Sequence, residues 1–176
     1  MTKLSKFFKP AASLLLASLS LAASHAAAGA VNLPFKASIS TQEILLPGSE
    51  VGLPCALVGM GIGIGQASHF GRVLLTATDC VQPYSNHFDF SNGNFTLTTA
   101  NGDTVTAVYG GSLVATQNGS IYAFSGSWFK ITGGSGRFAG ARGTGHIQGT
   151  EQLINNPPPA PPSSTGKLDI TGTISY

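Results

Sequence analysis

The chain has 176 residues, with nine Lys and Arg against seven Asp and Glu, 23 glycines and two cysteines. It lacks the basic footprint that nucleic acid or an anionic membrane surface calls for, and its length suits one domain.

Lys3, Lys6 and Lys9 precede an apolar run from Ala11 to Ala23, followed by SHAAAGA. A basic start, a short apolar middle and small residues before a cut site describe a secretory signal. It is assigned to residues 1–28, with cleavage after Ala28 and Ala26 as the alternative. The run is well short of the roughly 20 residues a spanning helix needs, and no later segment is long enough. No transmembrane segment is predicted, and the mature protein is expected outside the cytoplasm, either periplasmic or secreted. Three lysines leave with the signal, so residues 29–176 carry six basic against seven acidic side chains. Cys55 and Cys80 both lie in this exported part, where pairing as a disulfide is the simplest outcome. The bond closes a loop of about 25 residues and contributes roughly 3 kcal/mol on the loop-entropy model. A reactive Cys80 is the poorer reading, because neighbouring Asp79 disfavours a thiolate.

In the mature chain, residues 31–41 read as a first strand, and EILLPGSEVGLPCALVG reads as a long loop tied down by Cys55. GIGIG at 61–65 suggests a short strand with glycine on one face, which lets a backbone or a ligand approach closely. In residues 69–81, Val73, Leu75, Ala77 and Asp79 fall on one face of a strand. Asn101-Gly102 between alternating runs (94–99 and 104–109) is a strong hairpin signal. Residues 111–116 form another strand, which leads through Gln117-Asn118-Gly119 to a strand over 121–132. There Gly133, Gly134, Gly136, Gly140, Gly143, Gly145 and Gly149 crowd a strand-turn-strand unit. The proline-rich segment 152–165 is an exposed loop. KLDITGTISY alternates cleanly as a last strand.

No stretch of the mature chain has a convincing helical period. Seven or eight short strands joined mostly by tight turns predict a single all-β domain over 29–176, an antiparallel barrel or sandwich. The glycine bends favour the barrel, which also removes exposed edges.

At ITGGSGRFAGARGTGHIQGT, residues 131–150, the chain resembles the allene oxide cyclase and dirigent group of small β-barrels. The resemblance rests on Gly133-Gly134-Ser135-Gly136, then Phe138, then Gly140-Ala141. FSGSWFKI, TGKLDITGTISY and the NGDT hairpin fit the same plan. The overall type is similar to bacterial exported allene oxide cyclase barrel-like proteins. The resemblance implies a calycin-like, eight-stranded antiparallel barrel holding a small apolar molecule, and a homotrimeric assembly. Plant members cyclise an unstable fatty-acid epoxide or steer phenoxy-radical coupling. Glu43 lies in KASISTQEILLPG, but its surroundings do not match the cyclase motif. The resemblance therefore carries the architecture and not the activity.

Asp79 is the carboxylate with a case for acid–base chemistry. If its face lines the barrel, it is desolvated with a raised pKa. A strand-end Asp bonded to backbone amides near the disulfide is the plainer reading, and no catalytic residue is assigned. Tyr122, Phe124 and Trp128 share one face by alternation, as a ligand-stacking wall or as barrel core. His69 and His146 would meet at one barrel mouth, or lie on the surface, and the histidines lack metal-site spacing. Arg137 or Arg142 would look inward toward a ligand or Asp79, or stay solvated. Gly134 to Ala139 formally fits a dinucleotide-binding pattern, which is rejected because strand, not helix, follows. No metal or cofactor is predicted. Two functions remain: a non-catalytic exported barrel binding a small apolar ligand, or an isomerase or cyclase-like enzyme steering a reactive lipid or phenolic substrate.

Overall fold

The computed structural model describes residues 31–176; the signal and its cut site lie outside the described residues. Eight strands follow one another in chain order: β1 (Leu33–Pro47), β2 (Leu57–Ala67), β3 (Gly71–Pro83), β4 (His87–Thr99), β5 (Thr104–Ala115), β6 (Ile121–Gly134), β7 (Arg142–Ile154) and β8 (Ser163–Ser175). Each pairs antiparallel with the next, and β8 pairs with β1, which closes the barrel. The expected all-β, eight-stranded antiparallel barrel with one disulfide, Cys55–Cys80, is the observed architecture.

The strands are longer than the sequence suggested. β1 runs on through residues 42–47, so the loop expected there begins only at Gly48. Thr41, Glu43 and Leu45 keep the inward alternation of Phe35, Ala37 and Ile39; an inward glutamate disguised the pattern as a strand end. The segments expected as two strands, 104–109 and 111–116, form the single strand β5, bulged at Gly110–Ser112 against β6. The proline-rich loop narrows to residues 155–162, because Gln152–Ile154 pair with β8 and Ser163–Thr165 with β7. The Asn101-Gly102 turn forms as expected, with the Thr99 amide donating to the Asp103 carbonyl and Gly102 at φ +87°. In the glycine unit, a single 3-10 turn, Gly136–Phe138, joins β6 to β7.

Eight strands enclose a space that side chains can just fill. One end of this barrel is filled by aromatic rings. Phe35, Phe70, Phe129 and Phe138 are buried there, and Tyr176 packs on Phe138 at 4.8 Å between ring centroids. Phe70 meets both Phe35 (5.4 Å) and Phe138 (4.2 Å), forming a plug. The glycines of β7 and β8 make room for it. A Cβ at Gly145 would strike the Phe129 ring and the Thr171 carbonyl, and would lie 2.7 Å from the Gly172 Cα. The opposite end is less tightly closed: Leu57, Phe88, Leu113, Phe124 and Leu153 are only partly buried around Leu45, Val81 and Phe90.

Gly145→Ala is expected to lose about 3 kcal/mol or more, because overpacking here strikes backbone on a neighbouring strand. Gly119 has open space around its missing side chain, and Gly119→Ala should unfold like the parent in urea. Equal midpoints for the two variants would refute this account of the plug.

Candidate functional site

Below the looser rim, three carboxyl groups enter the barrel from alternate strands. Glu43 comes from β1, Asp79 from β3 and Glu151 from β7. The strands between them carry small residues at the same height. Gly61 pairs with Glu43 and Gly59 with Asp79 on β2, and Ser164 pairs with Glu43 and Gly166 with Glu151 on β8. Long acidic side chains can therefore lie across the neighbouring strand. A Cβ on Gly59 would strike Glu43 Oε1 and Asp79 Oδ1 together, so the two carboxyls converge over that backbone. The close approach expected along GIGIG is made by β1, whose Ile39 side chain and Ser38 and Ser40 carbonyls crowd Gly63 and Gly65, and the acids converge just before it, over Gly59.

Hydrogen bonding is sparse. Tyr109 Oη donates to Asp79 Oδ2 at 2.7 Å. The Ser164 hydroxyl lies 3.2 Å from Glu151 Oε2 and 3.5 Å from Glu43 Oε2, and its single proton serves one of them at a time. Asp79 is 9% exposed, and its Oδ1 is buried without a hydrogen-bond partner of good geometry. The nearby Gly59 amide favours the charged form of Asp79, but too weakly to offset burial. Among the described residues, no Lys, Arg or His lines this space.

Desolvation without a cation favours the neutral acid. Burial, then repulsion from Glu151 and Asp79, pushes Glu43 up to about 9. Burial raises Glu151 to about 7 and Asp79 to about 6, each held back by its hydrogen bond. Burial and the Asp79 charge together hold the Tyr109 phenol well above its usual range. An acid and a base with separated proton affinities thus sit side by side.

Around them is a cavity of about 70 Å³, walled above by Phe88, Phe90, Leu113, Phe124 and Leu153. It holds a few waters or the end of a small molecule, and it is smaller than the roughly 300–1,000 Å³ of drug-sized pockets. Irregular backbone rings the same level. The ladder slips between Thr78 and Cys80, between Phe90 and Gly93, between Gly110 and Ser112, and between Ala123 and Trp128. Bulges re-aim side chains in this way beside sites. Here they turn both Phe90 and Phe95 inward, and both Phe124 and Phe129, although each pair is separated by an odd number of residues.

That parity change corrects the stacking wall expected from alternation. Phe124 lines the cavity and Tyr122 packs on Phe88 at the rim (5.1 Å), but Trp128 is 46% exposed on the outer wall. Gly126, at φ +61°, is where the alternation turns over. Asp79 does face inward with Val73 and Leu75, within β3 rather than at its end, and the backbone amide that the plainer reading expected is that of Gly59. The histidines do not meet. His69 sits in the β2–β3 turn at the plugged end, within 2.9 Å of the Pro34 carbonyl, and His146 is outside beside Trp128. Neither arginine looks inward: Arg137 donates to the His69 carbonyl and pairs with Asp103 at 3.5 Å, and Arg142 donates to the Thr132 carbonyl. Glu151, Tyr109 and Ser164 were missed. Glu151 continues the inward register of Gly145, Ile147 and Gly149, and that register was the available signal. Among the described residues, no three His, Cys, Asp or Glu side chains are placed to hold one metal ion.

Comparison of the chain with protein-family models, curated proteins and solved structures finds no match.

The three acids bind protons more readily folded than unfolded, so they favour the folded state at low pH. That contribution is complete below the ordinary carboxyl range and is lost as pH rises through about 6, 7 and 9. The thermal midpoint should therefore fall between about pH 5 and about pH 8, and Glu43→Gln should flatten the slope most. A midpoint that rises over this interval in the parent protein would contradict the burial of uncompensated acids.

Proposed function

We propose that this protein is an exported barrel that binds a small apolar molecule at its looser end, in a non-catalytic role outside the cytoplasm. The observation that carries this reading is the cavity itself: apolar side chains roof a space whose floor holds a buried, unpartnered carboxyl oxygen. Pockets of this make-up, mostly apolar with a few convergent polar groups, are what small-molecule sites look like. The resemblance of residues 131–150 to the allene oxide cyclase and dirigent group points to the same class of ligand. Its plan of an interior site also suits the filled and unfilled ends of this barrel.

A second reading is favoured by one observation, the convergence of Glu43 and Asp79 over Gly59 with separated proton affinities. An isomerase or cyclase-like enzyme acting on a reactive lipid or phenolic substrate would use one as acid and the other as base. The homo-oligomer, a trimer by the same resemblance, would use the outer wall. There the glycine strand is inverted: Met60, Ile62 and Ile64 point outward and are 44%, 57% and 68% exposed. Ile44, Leu74 and Ile154 extend this uncharged face across β1, β3 and β7.

Native mass spectrometry of protein purified from its own host should detect a bound small molecule. Gly61 lines the cavity, and a Cβ there would make only ordinary contacts, 3.7 Å from the Ala77 Cβ. Gly61→Val should therefore fill the space and abolish the bound mass while the thermal midpoint holds. A parent protein that carries no ligand and takes up none would overturn the reading. An isomeric pair of bound compounds that interconvert on incubation would favour the enzyme. For the oligomer, light scattering should give a multiple of the chain mass, reduced to the single-chain mass by Ile62→Lys. A parent that is already monomeric removes that proposal.

A further inference from the structure

Two buried acids, Asp79 and Glu151, and a partly buried third, Glu43, with no basic partner are an unusual floor for an apolar pocket. A charged group out of water costs several kcal/mol unless it is paired. Folding leaves these groups unpaired among the described residues: β1, β3 and β7 each contribute a carboxyl, β5 contributes the Tyr109 phenol, and no other lining position is titratable. Hydrogen bonds compensate them only in part, the Gly59 amide favouring charged Asp79 too weakly to offset its burial. Tyr109 serves one oxygen of Asp79, Ser164 is shared between two glutamates, and Asp79 Oδ1 is left over in a side chain 9% exposed. What is missing from this arrangement is a group that donates several hydrogen bonds and carries positive charge.

We propose that the ligand is a protonated primary amine on an apolar body, with its ammonium seated among Glu43, Asp79 and Glu151. The inference deepens the pocket reading above and rests on it. An ammonium presents three donors and no acceptor, which matches acceptor oxygens supplied from three strands. Its charge also suits the walls. Phe90 and Phe95 flank Tyr109 at 5.9 and 5.8 Å between ring centroids, and aromatic faces attract a desolvated cation. A cavity of about 70 Å³ takes the head and a few carbons, and the remaining chain passes between Phe88, Leu113, Phe124 and Leu153 toward the rim. A carboxylate ligand meets like charge there, and a neutral alcohol leaves the floor without its counter-charge.

Binding should be coupled to protons. An ammonium stabilises the ionised carboxyls, so its arrival releases protons held by the acids to solvent, and acidification reverses it.

The test uses the mature protein freed of any bound compound and three probes of matched shape: hexylamine, hexanol and hexanoate. Titration calorimetry in two buffers of different ionisation enthalpy reads affinity and proton release together. Hexylamine should bind at least tenfold more tightly than hexanol, release protons, and weaken as pH falls through about 7 to about 6. Asp79→Asn should narrow the amine-to-alcohol ratio. Amine and alcohol binding with equal affinity, without proton release, overturns the amine inference and leaves the apolar-pocket reading standing. Hexanoate binding most tightly overturns it in favour of an acid ligand. Failure of all three probes, together with no bound mass in host-purified protein, overturns the pocket reading as well.

Discussion

The interior of an eight-stranded barrel is only about as wide as the side chains that fill it, so each inward position is a choice between filling and leaving room. In this protein glycine makes that choice at both ends, with opposite results. In β7 and β8, Gly145 and Gly172 surrender their space to the Phe129 ring, and that end is solid. In β2, Gly59 and Gly61 surrender theirs to acidic side chains and to a void. The same residue type underlies a plug and a pocket because of what its neighbours send across.

The bulges belong to the same logic. An unbroken alternation from Ile121 to Gly134 would put either Phe124 or Phe129 outside, and the barrel needs both within. The slip near Gly126 allows both, at the cost of exposing Trp128. The slip between Phe90 and Gly93 does the same for Phe90 and Phe95, and Gly93 leaves space for the Tyr109 ring. The Tyr109–Asp79 hydrogen bond therefore sits where four strands depart from regular pairing.

Much of the fold was legible because its signals are local. The Asn101-Gly102 turn, the alternation of Val73 to Asp79 and of the last strand, and the dense glycines of 133–149 each follow from a few adjacent residues. The cysteines paired as the compartment argument expected. The site was harder to read, because its chemistry violates the pattern used to find strands. Glu43 and Glu151 occupy positions where alternation asks for an apolar residue, and a single charged residue in such a register reads as an ending. Asp79 was visible because three apolar residues precede it on its face. The Trp128 error has a different origin: parity arguments assume a regular pleat, and one bulged glycine reverses everything beyond it.

The meander has a kinetic meaning as well. Seven of the eight pairings join strands that are neighbours in the chain, so each can form as a local hairpin at little entropic cost. The eighth is different: where β1 meets β8, the Asn32 amide bonds the Ser175 hydroxyl across 143 residues of sequence. Until that seam closes, both edge strands stay open, and the floor of the cavity is incomplete, because Ser164 and Gly166 stand between Glu43 and Glu151. The barrel and its pocket are thus finished by one event, the arrival of the last strand. Any ligand that needs all three acids can recognise only a chain that has already closed.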